Sequence, residues 1–298
     1  MQPIIQVTNL TKIFTDKIHH HQIKAVDQLN FSIHPQQKVG IIGESGSGKT
    51  TLLNLLVALD QADDGAIEID QKSLSDWLKH RKAFRRKIQM IYQNPYEVFD
   101  RRQTIQEILM QPLRIHQIGN SNKERLAIID QALADAGFTP TDHYLLRYPH
   151  ELSGGQLQRI SILRSLLIRP DIIVADEPVS MLDVSIRASV LEMLLDAHQA
   201  QQNTMIIVSH DILSLRNIVD RLFIMYHGQI IEDIPAHQLL TEARHPYTQV
   251  LISNAHGKEV TNEALDRMIH AFNQNYGQHE STEMIEISPN HYLNCSVE

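Results

Sequence analysis

Eight consecutive residues, Gly43-Glu44-Ser45-Gly46-Ser47-Gly48-Lys49-Thr50, have the types and order needed to hold a phosphate chain. They follow the apolar run Val39–Ile42 and precede the apolar stretch Leu52–Leu59, so the spacing G-x-x-x-x-G-K-S/T falls between a strand and a helix. The glycines let successive backbone N–H groups turn toward anionic oxygens with no Cβ in the way. The helix N-terminus adds partial positive charge at the same place. Lys49 is placed to reach the outer phosphates, the Thr50 hydroxyl to ligate Mg2+, and Thr51 follows them into the candidate site.

Three further segments end in polar residues suited to phosphate chemistry. Ile172-Ile173-Val174-Ala175 delivers Asp176 and Glu177 at its C-terminal end, where ligands gather in open α/β sheets. Asp176 suits a Mg2+ site and Glu177 a general base for an attacking water. Met205–Val208 ends in Ser209-His210, and Ile88–Tyr92 ends in Gln93; each side chain is a candidate reader of phosphate or water. Leu152-Ser153-Gly154-Gly155-Gln156 is a second glycine-rich segment far from the first. A serine hydroxyl, close-approach glycines and a helix starting near Gln156 form an anion site there. Since the chain already has a complete cradle, this second grip points to a nucleotide held from two sides.

The elements that must position these residues read as an α/β protein. Strand-like alternation in 4–10 and 28–34 flanks a polar hairpin loop containing His19-His20-His21. Strands at 66–70 and 88–92 follow, then a helical insertion from about 95 to 168, with apolar residues at helical spacing in 104–118 and 124–136. Strands and helices then alternate through 172–175, 184–200, 205–208, 211–219, 222–226 and 229–232, which predicts a parallel sheet. Beyond His245 comes an amphipathic helix with Leu265, Met268, Ile269 and Phe272 on one face, then a strand at 284–287.

Composition sets bounds. The 298 residues are 42% hydrophobic and 21% charged, which fits a folded soluble chain. A net charge of −8 disfavours nucleic acid as a partner. No signal peptide is visible, and Leu52–Leu59 is too short to span a bilayer. The single cysteine, Cys295, excludes an internal disulfide and suits a reducing compartment. The basic run Lys79–Lys87 reads as a solvated face, and the histidine triplet as a solvated loop rather than a metal site.

These pieces, in this order, resemble the ATP-binding cassette (ABC) ATPases over residues 4 to about 252. Gly43–Thr50 resembles Walker A, Gln93 the Q-loop, and Leu152–Gln156 the signature motif. Ile172–Glu177 resembles Walker B, Ser180–Asp183 the D-loop, and His210 the switch histidine. The resemblance implies a RecA-like P-loop core with an N-terminal antiparallel β subdomain, an inserted helical subdomain and a small C-terminal extension over 253–298. It implies ATP and Mg2+ as ligands, with Thr50, Gln93 and Asp176 on the metal and Glu177, His210 and Gln93 in catalysis. Phe14 takes the place of the aromatic that stacks on adenine. Ser153, Gly154, Gly155 and Gln156 would serve ATP held by a second cassette, with Asp183 at the same junction, so a second ATPase subunit, paralogue or self, is implied.

A narrower resemblance, to the oligopeptide, dipeptide and nickel importer branch, rests on Ile91–Tyr96, Asp176–Ser185, His245-Pro246-Tyr247-Thr248-Gln249 and the ending Ile285–Cys295. It implies two transmembrane permease subunits, an extracellular solute-binding protein acting indirectly, and a peripheral place on the cytoplasmic face of the membrane. Many members bind an iron–sulfur cluster through several tail cysteines. With Cys295 alone, four thiolates are not available within the chain, and no cluster is expected. A soluble, non-transport ATPase, as in carbon–phosphorus lyase systems, shares these motifs and stays open.

Overall fold

Alternation puts Ile5 and Val7 on one face of the first strand, an irregularity in register separates them from Leu10, and all three are fully buried. The computed structural model describes residues 2–15, 22–276 and 284–294; His19-His20-His21 and Cys295 lie outside the described residues. In chain order the first elements are β1 (Ile5–Thr15), β2 (Gln22–Ile33), β3 (Lys38–Ile42), α1 (Lys49–Leu56), β4 (Asp64–Ile69) and β5 (Lys72–Ser73). Next come α2 (Leu74–Leu78), α3 (Arg81–Lys87), β6 (Ile88–Ile91), α4 (Ile105–Ile115), α5 (Asn122–Asp135), α6 (Thr141–Leu145) and α7 (Gly154–Leu166). Strands and helices alternate again in β7 (Ile172–Asp176), α8 (Val184–Gln201), β8 (Thr204–Val208), α9 (Ile212–Leu215), β9 (Arg221–Tyr226) and β10 (Gln229–Pro235). The tail holds α10 (Leu239–Glu242), α11 (Pro246–Ala255), α12 (Asn262–Tyr276), β11 (Ile285–Ser288) and β12 (His291–Leu293). Two compact units emerge, one from residues up to 76 and from 206 onward, the other from 77 to 205.

In the first unit β1 lies antiparallel between β2 and β4, with Ile5 opposite both Ile33 and Ile69. This is the expected N-terminal β subdomain. A second set of strands centres on β3, which pairs in parallel with β9, Ile41 opposite Phe223. β9 turns back into antiparallel β10, and β10 pairs with β12, Glu232 opposite Leu293. The terminal hairpin therefore extends the strand set that begins at β3. Leu52, Leu53, Leu55 and Leu56 of α1 are all buried, as a helix apolar nearly all round requires.

The second unit pairs β6 with β7 in parallel, Met90 opposite Val174. Its helices share a core that includes Phe99, Leu109, Leu133, Phe138, Leu157 and Ile160. A capping box between Thr104 and Glu107 starts α4, and Ser121 caps α5. The basic run forms α3, a helix not expected from the sequence: Phe84 is its buried anchor, while Arg81, Lys82 and Arg86 stay exposed.

Several details differ from expectation. α1 starts at Lys49 and stops at Leu56, short of Leu59. α7 starts at Gly154, two residues before Gln156, because Ser153 caps it. The helix expected over 211–219 is the single turn Ile212–Leu215. There Asn217 and Ile218 donate to carbonyls three residues back, a tightening that ends the α-helix. In α12, Leu265, Ile269 and Phe272 are buried at i, i+4 and i+7, but Met268 sits at the edge of that stripe and is 37% exposed.

Candidate functional site

The first unit carries the phosphate cradle between β3 and α1. Gly46 and Gly48 have φ of 84° and 101°, a region open to glycine at no steric cost. A Cβ on Gly48 would stand 2.0 Å from the Ala25 carbonyl oxygen, and one on Gly43 would stand 2.3 Å from that of Met225. Glycine is thus required at both positions by backbone packing. Gly48 offers α1 no side-chain cap, so the helix begins with backbone donors facing the loop. Lys49 is 7% exposed and folds back on the loop: Nζ donates to the carbonyls of Gly43 at 2.7 Å and Glu44 at 2.6 Å, and to Ser47 Oγ at 3.3 Å. Glu44, Ser45, Gly46 and Thr50 are exposed around it, and Thr51 is half-buried. Donors, fixed charge and open backbone together fit a polyphosphate.

Two more residues of this unit were predicted for the site. Phe14, on β1, is 45% exposed, with Lys12 Nζ 5.3 Å from its ring centroid; it is a surface aromatic rather than a core one. His210 is exposed just beyond β8. The N–H of the preceding Ser209 donates to the Ile41 carbonyl at 3.2 Å, so the histidine leaves β8 beside the end of β3 that feeds the cradle. Tyr247 was not expected at the site. It is wholly buried, and its hydroxyl accepts the Glu44 N–H at 2.9 Å. The sequence signal was the His245–Gln249 motif, read only as a branch marker.

The second unit carries the carboxylates. Asp176 ends β7 and is 7% exposed, while Glu177 follows with φ of 44°, a strained angle for a side-chain-bearing residue. Gln93 Nε2 donates to Glu177 Oε2 at 3.0 Å and to Ser180 Oγ at 3.1 Å, and Ser180 Oγ donates to the Glu177 carbonyl at 3.1 Å. Two predicted catalytic residues are therefore in direct contact, and Ser180 joins them. The backbone before Gln93 is held from α7, where buried Gln158 donates to the Tyr92 carbonyl at 3.3 Å. Asp183 sits at the start of α8 with an exposed side chain.

At the second glycine-rich segment, Ser153 and Gln156 form a capping box. Ser153 Oγ accepts the Gln156 N–H at 3.3 Å, and Gln156 Oε1 accepts the Ser153 N–H at 3.0 Å. The hydroxyl keeps its proton for donation. The two glycines differ. A Cβ on Gly154 would meet nothing within 4 Å, whereas one on Gly155 would lie 2.8 Å from Ile186 Cγ2. Gly155 therefore lets α7 pack closely on α8 where a Cβ would stand, and the open side belongs to Gly154.

A glycine-rich cradle on a helix start, together with a strand ending in Asp-Glu and a glutamine bonded to that glutamate, defines a P-loop nucleotide-hydrolysing cassette. The ABC transporter family model matches residues 26–180, and the chain belongs to that family. It binds ATP and is an ATPase. It is similar to the oligopeptide transport ATP-binding protein OppF of Bacillus subtilis, 34% identical over 92% of this chain and 90% of the relative. It is also similar to the dipeptide transport ATP-binding protein DppF of Escherichia coli, 37% identical over 85% of this chain and 76% of the relative. Among solved structures, the dimeric post-hydrolysis state of the cassette MJ0796 bound to ADP and Pi superposes with a TM-score of 0.70 at 29% identity, covering 78% of this chain and 98% of that one. The Clostridium perfringens cbiO1 structure shares the fold, with a TM-score of 0.69 at 22% identity over 85% of this chain and 95% of that one.

Proposed function

We propose that this chain is the energy-coupling ATPase subunit of an importer for short peptides. The observation that carries the reading is the coexistence of a complete cradle at Gly43–Thr50 with a second helix start at Ser153, whose hydroxyl proton and open Gly154 face suit a phosphate held elsewhere. Relatives named for oligopeptide and dipeptide transport support peptide cargo over nickel.

The residues take the following roles. Backbone N–H groups along Gly43–Thr51, except that of Glu44, which Tyr247 holds, and the Lys49 ammonium bind the phosphates, and Glu44, Ser45 and Ser47 line the loop; Phe14 stacks on the base. Lys49 exchanges its loop carbonyls for phosphate oxygens, a swap of one set of acceptors for a charged one. Thr50, Asp176 and Gln93 carry the hard oxygen donors that would hold Mg2+. The bound ion supplies charge neutralisation at the phosphates. Glu177 accepts a proton from the attacking water, and the Gln93 amide keeps its carboxylate in place. His210 supplies a further polar contact to the transferring group. Ser153, Gly154 and Gln156 serve the nucleotide of a partner cassette, Gly155 setting the helix that presents them, with Asp183 at the same junction.

Residues 1–252 form the ATPase domain, with the helical subdomain at about 95–168, and 253–298 the extension. No helix among the described residues is long and apolar enough to cross a membrane. On its likeness to peptide-transport ATP-binding subunits, the chain is assigned to the cytoplasmic face of the membrane, bound to two permease subunits and paired with a paralogue or a second copy. A solute-binding protein delivers cargo from outside, and nucleic acid has no part.

The test is reconstitution of the chain with its partner cassette and permeases in proteoliposomes, measuring ATP hydrolysis and uptake of a labelled peptide. Peptide-stimulated hydrolysis with coupled uptake is expected. Hydrolysis without any peptide response would overturn the cargo assignment, and an unimpaired Glu177→Gln variant would overturn the mechanism.

A further inference from the structure

The C-terminal extension reaches the phosphate cradle through a chain of buried polar contacts inside the first unit. It begins at Glu232 on β10, a carboxylate with no solvent exposure. Its Oε1 accepts the Arg244 N–H at 2.7 Å and the His291 Nε2–H at 2.8 Å, and its Oε2 accepts the His245 N–H at 3.3 Å. A buried carboxylate is tolerated only when saturated with donors in this way. His291 opens β12 and is 1% exposed, so one carboxylate ties the terminal hairpin to the turn that starts α11.

From that turn the chain of contacts runs to the cradle. His245 caps α11, its Nδ1 accepting the Tyr247 N–H at 3.2 Å, and its ring packs edge-on against Phe272 of α12 at 5.1 Å. Pro246 at the first helical position fixes the entry of the helix. Tyr247 then packs against Tyr226 at 4.4 Å and places its hydroxyl on the Glu44 N–H. The Glu44 carbonyl is one of the acceptors of Lys49 Nζ. Residue 44 is thus held on one side by Tyr247 of α11 and on the other by the phosphate-binding lysine. The same loop is gripped again at Ser47, whose carbonyl accepts the Gly228 N–H at 3.0 Å from the β9–β10 turn.

We propose that Tyr247 is a positioning residue for nucleotide binding, fixing the Glu44 peptide of the cradle, and that the Glu232–His291 contact makes this hold depend on a docked C-terminal hairpin. The proposal rests on the reading of Gly43–Thr50 as the ATP site. Its physical basis is preorganisation: a loop already ordered loses less freedom when its ligand arrives and binds it more tightly. The extension thereby sets ATP affinity without touching ATP.

The experiment uses the full-length chain and titrates mant-ATP by fluorescence. Tyr247→Phe removes one oxygen and keeps the ring against Tyr226. Its Kd should rise about three- to tenfold, the scale of one lost hydrogen bond. In the assembled transporter KM for ATP should rise by a similar factor while kcat at saturating ATP stays within about twofold. Tyr292→Phe, on the hairpin but outside this chain of contacts, should leave Kd unchanged. His291→Leu should also weaken ATP binding, and His291→Gln, whose amide can donate to Glu232, should restore it. An unchanged Kd in Tyr247→Phe overturns the positioning role, and equal affinities for the two His291 variants overturn the dependence on the hairpin. Should the unsubstituted chain bind no mant-ATP, the ATP-site reading falls and the proposal with it; tight binding by every variant overturns the proposal alone.

Discussion

Gln93 Nε2 donates to Glu177 Oε2 at 3.0 Å, joining the second residue after β6 to the residue that follows β7. The bond fixes the direction of the carboxylate, which is what a general base needs before water arrives. Replacing Glu177 by Gln keeps the shape and removes the basicity. We expect ATP hydrolysis to fall about 10²- to 10⁴-fold while nucleotide is still bound. Steady-state phosphate release and filter binding of radiolabelled ATP will separate the two. Gln93→Ala should cost less, since it removes one bond to the carboxylate and keeps the base itself.

Gly155 tests the division of labour between the two glycines after Ser153. Gly155→Ala places a methyl 2.8 Å from Ile186 Cγ2 and should destabilise the fold by about 1–3 kcal/mol, the usual penalty for overpacking. Gly154→Ala meets nothing within 4 Å and should stay within about 0.5 kcal/mol of the natural chain. Urea unfolding of the two variants gives both numbers. Ile186→Ala should rescue Gly155→Ala and leave Gly154→Ala unchanged, because only the first pair shares a contact.

The contrast between these glycines shows where sequence reading stops. The cradle was legible because its function is written in local order: a strand, glycines, a lysine and a helix, each adjacent to the next in the chain. The same holds for Asp176 and Glu177 at the end of β7. The packing role of Gly155 was not legible because its neighbour, Ile186, lies 31 residues away. Tyr247 was passed over for the same reason, since Glu44 is 203 residues distant along the chain. Periodicity found α12 but placed Met268 inside the stripe, as it carries no information on how wide the facing groove is. Local chemistry is readable from spacing; pairings made by the tertiary fold are not.

Ser153 has two separable duties. As the cap of α7 it accepts the Gln156 N–H, and Ser153→Ala should lower stability by about 1 kcal/mol. As a donor toward a partner's nucleotide it matters only in the dimer. Ser153→Asp preserves a capping oxygen and adds negative charge where phosphate is to be received. It should retain stability and mant-ATP binding in the isolated chain and abolish ATP-driven pairing, read by sedimentation, together with turnover. If Ser153→Asp pairs and turns over normally, the second helix start does not face phosphate.

His245 predicts how the protein responds to acid. Burial is the main cause that pushes its pKa from 6.5 down to about 4, with the nearby Glu232 carboxylate opposing the shift. The neutral ring is also what the fold requires, because Nδ1 must accept the Tyr247 N–H. In the unfolded chain the imidazole titrates near its ordinary value, so between pH 6.5 and 4 the unfolded state binds more protons than the folded one. Stability then falls as the pH drops through that window, with the slope set by the difference in bound protons. A gap of this width corresponds to about 3 kcal/mol at its acid end. His245→Asn supplies a capping oxygen that does not titrate. It should lower stability at pH 7 by losing the contact with Phe272, yet show a shallower decline between pH 6.5 and 4.5. Urea midpoints collected across that range will show it: parallel pH profiles for the two proteins would mean that some other group governs the acid response.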